Sequence, residues 1–447
     1  MSRKYFGTDG VRGRVGEAPL TVDFVLRLAS AAARVLGPNG GSVLVGKDTR
    51  LSGYLFESAL EAGFVAAGLD VLLTGPLPTP GIAYLTQKLN CAFGVVISAS
   101  HNPYQDNGIK FFDRTGGKLS DALELEIEKH LEEPPTTVDS EKLGSARRID
   151  RSRTLYQDFC KSSLPVGTDL SDLRVVIDAA NGAGYKVAPR VLAELGIDAI
   201  PIGCAPNGRN INKDCGSTDP VLLQLTVKGV NAHCGIALDG DGDRLIMVDH
   251  EGTLVDGDQL LYILAKARLA GHRLSGPVVG TVMSNLGLEH GLRSLGIEFK
   301  RAAVGDRHVL ALMRETGAIL GGETSGHILC LDCTTTGDGT VSALQILSSL
   351  KVLGMSLKNA AAEMPKYPQV LLNVKLERKL NLIKSPSILA IKTESEQRLG
   401  NHGRVVLRAS GTEPLFRVMV ESEFAAEAQA EAEIIAQVVR DVAAQAA

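Results

Sequence analysis

The chain has 447 residues, 44% of them hydrophobic, enough to fill several cores, and length alone suggests about three domains. A formal net charge of −4 carries no polyanion-binding signature, so nucleic acid is not expected as a partner and basic residues are judged locally, as phosphate contacts. No uncharged run approaches the roughly 20 residues of a membrane span, and the opening Met1-Ser2-Arg3-Lys4-Tyr5-Phe6-Gly7 lacks a leader's apolar core, so a cytoplasmic protein without a membrane partner is expected.

In chain order, Phe6-Gly7-Thr8-Asp9-Gly10-Val11-Arg12-Gly13 is an ambiguous glycine-rich opening, in which Arg12 would suit a phosphate-binding cleft. Ser42 to Arg50 then pairs a β-branched apolar run with a polar loop, and a helical segment follows, ending in Ala67-Gly68-Leu69-Asp70-Val71 with glycine at the helix stop. The same order recurs from Leu173 to Gly184, with a helix ending at Leu195-Gly196-Ile197, and from Gly276 to Asn285, with a helix ending at Leu295-Gly296-Ile297. Each unit reads as βαβ, and each later closes a small or apolar run on a polar loop: Ser98 to Pro103 (SASHNP), Asp239 to Arg244 (DGDGDR) and Gly322 to His327 (GETSGH). If the units are copies, these loops are equivalent, and parallel sheets bind ligands beyond strand C-termini.

Glu132 to Ser152, charged and holding two prolines, reads as a linker; a second junction lies near Asp249 to Asp258, before a helix expected to be capped by Asp258, and a third at Met364 to Gln369. Beyond it come a strand from Val370 to Leu376, a helical stretch, two strands around Arg408 to Pro414 and an alanine-rich helix. The expected fold is α/β: three tandem α/β repeat domains (residues 1–150, 151–254 and 255–366) plus a smaller C-terminal α+β domain (367–447), arranged around a central cleft. The seven cysteines read as reduced thiols; Cys330-Leu331-Asp332-Cys333 is a lone C-x-x-C without the second pair that a zinc or redox site calls for.

The loops carry the chemistry. Asp239-Gly240-Asp241-Gly242-Asp243 sets three carboxylates at i, i+2 and i+4, with glycines that let the backbone curl so that all three point one way, a donor set for a hard cation. An EF-hand loop begun at Asp239 would need glycine where Arg244 stands and glutamate where His250 stands, so magnesium is preferred to calcium. Ser100 ends an apolar strand in a loop that does not match Gly-x-Ser-x-Gly, and a serine near magnesium suits carrying a phosphoryl group, its oxygen completing the coordination of the aspartates. His101 and Lys110 are close in sequence; Lys110 would stabilise charge, or move a proton if burial lowers its pKa. Gly322 to His327 offers a carboxylate, hydroxyls and an imidazole for sugar hydroxyls, and Arg408 to Pro414 with Arg417 offers guanidinium groups and a backbone nest for phosphate.

These four motifs, in this order over essentially the whole chain, resemble the α-D-phosphohexomutase superfamily, and Tyr5 to Gly13 is similar to its glucosamine-directed branch rather than its mannose-directed one. The resemblance implies a heart-shaped four-domain fold and interconversion of glucosamine 6-phosphate and glucosamine 1-phosphate, feeding amino-sugar nucleotide and cell-wall precursor synthesis. It makes Ser100 the phosphoserine, Asp239, Asp241 and Asp243 with Ser100 the Mg2+ ligands, and Lys110, His101 and Arg12 further catalytic candidates. Glu323 and Ser325 would bind the sugar, with His327, Arg244 and Arg307 as further substrate contacts, and Arg408, Ser410, Gly411, Thr412 and Arg417 would hold the non-reacting phosphate. Glucosamine or glucose 1,6-bisphosphate would prime the serine, and a homodimer is left open. In place of the histidine that mannose-directed members carry after Val-Gly, the chain has Asp306-Arg307, which leaves the general base open among Lys110, Arg12, Arg307 and His308. The competing readings are a phosphomannomutase or phosphoglucomutase, a magnesium-dependent sugar-phosphate phosphatase and a non-catalytic sugar-phosphate sensor.

Overall fold

The computed structural model describes residues 3–378, 382–409 and 414–445. Four sheets follow one another along the chain. The first holds β1 (Val11–Arg14), β2 (Ser42–Lys47), β3 (Asp70–Pro76), β4 (Phe93–Ile97), β5 (Asp106–Asp113) and β6 (Ala146–Arg148), in the order β1-β5-β4-β2-β3-β6. The second holds β7 (Arg174–Asp178), β8 (Asp198–Ile202), β9 (Cys234–Leu238), β10 (Leu245–Asp249) and β11 (Leu254–Val255), ordered β11-β10-β9-β7-β8. The third holds β12 (Val278–Thr281), β13 (Phe299–Ala302), β14 (Leu320–Gly322) and β15 (Ile328–Cys330), ordered β13-β12-β14-β15.

One four-strand unit underlies all three. An opening strand (β2, β7 or β12) pairs in parallel with the next two strands of its unit, one on each side, and the last of these pairs antiparallel with a fourth, β5, β10 or β15. The opening strands read as continuous apolar runs because helices cover both faces of such sheets. The three units share a core that runs through Leu44, Ile177, Leu238, Leu261 and Leu344.

The C-terminal unit is different, as expected. β16 (Gln369–Lys375), β17 (Gly403–Ala409) and β18 (Leu415–Ser422) form an antiparallel sheet ordered β16-β18-β17, covered by helices Pro386–Leu399 and Ala425–Gln445. The alanine-rich helix buries Ala428, Ala432, Ile435, Ala436 and Val439, a stripe at helical spacing that closes a separate core.

Two local expectations are corrected. The stretch read as a linker carries β6, paired in parallel with β3 at the sheet edge; its residues are exposed, so the strand needs no apolar alternation and leaves no pattern in the sequence. Helix Gly257–Ala270 is capped by Asp256, not Asp258: Asp256 has extended backbone and accepts from the amides of Asp258 and Gln259, whereas Asp258, already inside the first turn, turns to Asn285 N and the Thr324 hydroxyl. Among the described residues no helix is long and apolar enough to cross a membrane.

Candidate active site

Each of β4, β9 and β14 hands the chain to its antiparallel neighbour through a short turn, and these turns are the three polar loops singled out in the sequence. In the first, Ser100 is 1% exposed and its backbone is left-handed at φ 51°. Its Oγ donates to Asp239 Oδ2 at 2.5 Å and lies 3.3 Å from His101 Nδ1. Behind it, Ser98 Oγ accepts from Ser100 N and donates to Asp48, which pairs with the fully buried Arg50.

One carboxylate oxygen from each of Asp239, Asp241 and Asp243 lies within 4.8 Å of the others, and all three residues are buried. Burial, together with Asp241 and Asp243, holds the Asp239 carboxyl well above its ordinary range. Asp241 is also pushed up by burial, but Lys110 Nζ and Thr79 Oγ1, each 2.7 Å from its Oδ2, outweigh that and hold it below. The Oδ1 atoms of Asp241 and Asp243 are buried with no hydrogen-bond partner. Three converging carboxylates with two unpartnered oxygens fit a hard cation such as magnesium.

Cations interleave with these acids. Lys110 Nζ lies 2.7 Å from Asp9 and from Asp241 and 3.8 Å from Asp243. Burial alone would lower its pKa, but Asp241, Asp9 and Asp243 together raise it, so of the two roles expected for Lys110 the condition for moving a proton is not met and charge stabilisation is the one its surroundings favour. Lys118 bridges Asp9 (2.6 Å) and Asp306, and Arg12 also pairs with Asp9. Burial first, then the Arg244 and Arg12 charges, push His101 down to about 4, leaving its imidazole neutral.

A cavity of about 350 Å³ brings together Arg12, Ser100, His101, Asp243, Arg244, Glu323 and His327, with Asp9 and Asp306 in its wall. His327 is buried between Asp243 (Nδ1 to Oδ2, 3.7 Å) and Asp306 (Nε2 to Oδ2, 3.5 Å). Glu323 accepts from Gly305 N at 3.0 Å. A larger cavity, about 610 Å³, lies against Leu173, Leu347, Leu350 and Met355 and contains none of these groups.

Several expected residues stand elsewhere. Ser325 is exposed and does not line the site cavity; the loop instead turns Thr324 inward, onto Asp258. Arg307 points away and pairs with Asp121 and the buried Glu124 on helix Asp121–His130, because two carboxylates, one desolvated, outcompete the cleft for its guanidinium. His308 is exposed. Arg408 and Arg417 face each other in register across β17 and β18, outside that cavity, while Ser410, Gly411 and Thr412 lie outside the described residues. Cys330 and Cys333 are free thiols, and burial pushes Cys333 up to about 12, which opposes the thiolate that zinc or redox chemistry requires.

Sequence reasoning passed over Asp9, Asp48, Arg50 and Lys118. For Asp48 and Arg50 a signal existed: they occupy the polar loop that ends β2, the opening strand of the first unit.

Profiles of the phosphoglucomutase/phosphomannomutase family match four consecutive segments: alpha/beta/alpha domain I at residues 3–137, domain II at 155–252, domain III at 256–367 and the C-terminal domain at 371–438. A phosphoglucosamine mutase from Alkalilimnicola ehrlichii is 55% identical, covering 99% of this chain and 98% of that one. One from Methylococcus capsulatus is 56% identical over 94% and 95%. A Burkholderia thailandensis phosphoglucomutase/phosphomannomutase family protein superposes with a TM-score of 0.82 at 23% identity, over 98% of both chains. The Aspergillus fumigatus N-acetylphosphoglucosamine mutase, solved with GlcNAc-6P and magnesium, superposes at 0.69 with 18% identity over 99% and 96%; at these identities both show the fold. The chain belongs to the phosphoglucomutase/phosphomannomutase family of phosphohexomutases and, within it, groups with the phosphoglucosamine mutases. It is a mutase, an isomerase, and the Alkalilimnicola ehrlichii and Methylococcus capsulatus relatives carry neither the name of a phosphatase nor that of a mannose enzyme.

Proposed function

We propose that the protein interconverts glucosamine 6-phosphate and glucosamine 1-phosphate through a phosphoserine at Ser100 and a 1,6-bisphosphate intermediate. The observation that carries this reading is the buried Ser100 Oγ, 2.5 Å from Asp239 of the carboxylate triad, in the wall of a cavity that also presents Glu323, Arg244 and His101. Asp239, Asp241, Asp243 and the phosphoserine would hold magnesium, which when bound neutralises charge on the transferring phosphoryl group.

The step conserves its groups. The bond from phosphorus to Ser100 Oγ breaks, a bond to the free sugar hydroxyl forms, and the proton that hydroxyl loses to a base is matched by one gained at Ser100 Oγ. His101, unprotonated and beside Ser100 Oγ, would accept the serine's own proton when Ser100 takes a phosphoryl group back, whereas Lys110 stays charged and compensates the anions around it. The bisphosphate turns over, and Ser100 takes back the other phosphoryl group. Glu323 and Arg244 orient the sugar, and Arg408 and Arg417, with Ser410, Gly411 and Thr412, hold the non-reacting phosphate. A dephosphoserine meeting a monophosphate has only one phosphoryl group to place, so a glucosamine or glucose 1,6-bisphosphate is the primer. The protein acts in the cytoplasm as a monomer or homodimer.

The test is isomerisation measured across glucosamine, glucose and mannose phosphates, with intact mass on Ser100. Turnover that requires phosphate on Ser100 and prefers glucosamine phosphates is expected. Full activity of Ser100→Ala would end the phosphoserine reading, and a larger kcat/KM for mannose phosphates would end the substrate choice.

A further inference from the structure

We propose that Asn212 is a positioning residue for Ser100, working with Arg50 to hold the serine in the backbone conformation from which it reacts. The inference rests on Ser100 being the phosphoryl carrier. A non-glycine residue at φ 51° is uncommon and persists where its surroundings over-determine it. Here two donors from different units meet the same two acceptors. Arg50 Nη2, from the first unit, donates to Ser100 O at 3.1 Å and Asn102 O at 2.5 Å. Asn212 Nδ2, from the second, donates to Ser100 O at 2.9 Å and Asn102 O at 3.0 Å.

The two donors are themselves anchored. Arg50 is fully buried and paired with Asp48. Asn212 lies in the segment between β8 and helix Val221–Gly229, and that segment is pinned to the end of β7: Asn212 N donates to Ala180 O at 2.9 Å, and Asp178 accepts from Gly216 N at 2.7 Å. Asn212 is itself left-handed at φ 57°, which asparagine tolerates better than most residues. The alternative amide orientation would set its oxygen against two carbonyls, so the two N–H bonds fix the orientation of the side chain. Its Oδ1 is buried without a partner, so the side chain's hydrogen bonding goes to the serine loop.

Asn212 touches no reacting atom in this arrangement. Removing its N–H bonds leaves one clamp where there were two and lets the Ser100 turn relax, which moves Oγ relative to Asp239. That loss falls on the transition state and not on sugar binding, so kcat falls while KM is preserved.

The test uses the full-length enzyme with magnesium and glucose 1,6-bisphosphate. Asn212→Asp keeps the shape but has no N–H to donate; Asn212→Gly accepts the backbone conformation and removes the side chain. Both are expected to lower kcat for glucosamine 6-phosphate at least about tenfold, 1.36 kcal/mol on the barrier, with KM within about twofold. Both should also slow the appearance of phosphate on Ser100 from the bisphosphate, followed by intact mass, a readout that general loss of stability would not single out. Variants that melt like wild type and keep kcat within about twofold, or that lose efficiency through KM alone, overturn the proposal. Wild-type turnover with an unphosphorylated Ser100 would overturn the phosphoserine reading as well, so the two failures are distinguishable.

Discussion

Gly240→Ala is expected to disable the enzyme while leaving it folded. Gly240 lies between two of the three aspartates and, unlike Gly242 at φ 73°, does not use the left-handed region, so the effect of a methyl group there is steric. A Cβ at this position would stand 2.6 Å from Ser100 O, 2.7 Å from Asn212 Nδ2 and 2.8 Å from Ile211 Cδ1. Ordinary contact begins near 3.4 Å, so relief requires 3.4 − 2.6, about 0.8 Å of movement, and the nearest atom is backbone. Overpacking of this kind costs about 1–3 kcal/mol of stability, which a protein of this size survives. A displacement approaching 1 Å at the reacting serine costs on the order of 10²-fold in rate. Denaturant titration and steady-state kinetics on the same preparation read both numbers. Gly229→Ala, at the end of a helix where a Cβ meets nothing within 4 Å, serves as the control. If Gly240→Ala retains kcat within about threefold of wild type, the serine and aspartate turns are not held as tightly as this geometry requires.

Asp241→Asn should weaken magnesium binding and lower kcat together, because it removes one of the three converging charges; calorimetric titration with magnesium checks it, and full activity of chelator-treated wild type would refute the metal assignment. Arg417→Ala should raise KM about tenfold to hundredfold and change kcat less, the loss of a charge-assisted hydrogen bond worth about 1.5–3 kcal/mol, and an unchanged KM would move the phosphate site elsewhere. Asp338, buried at the start of helix Gly339–Leu353 and accepting from Tyr156 OH, is pushed by burial up to about 6 from its ordinary 3.8. Its stabilising contribution is therefore full below pH 3.8 and lost as pH rises through about 6, roughly 3 kcal/mol at 1.36 kcal/mol per pH unit. Asn at 338 would remove that dependence, so the stability difference between variant and wild type should shift in the variant's favour between pH 4 and about 7; a difference independent of pH would refute the assignment.

The tandem units and their chemical loops were legible because their signals are local. An apolar strand that stops at a polar loop, a glycine at a helix end and carboxylates at alternate positions each fall within a dozen residues, and backbone geometry converts that spacing directly into direction. The family resemblance was legible for the same reason. The edge strand Ala146–Arg148 and the cap at Asp256 were misread where local pattern was weak: an exposed edge carries no alternation, and two aspartates two residues apart compete for one cap.

The charge network was decided by tertiary structure alone. Lys110 meets Asp241 across 131 residues of chain, and Lys118 meets Asp306 across 188. Such pairs depend on how separate units dock and leave no trace in sequence spacing. Arg307 shows the consequence: its neighbours in sequence point to the cleft, but folding offers it Glu124 and Asp121 first. The chain's order therefore settles which groups are present and which loops carry them, while their charge states and partners follow from burial, since desolvation rewards whichever opposite charge the docked units bring nearest.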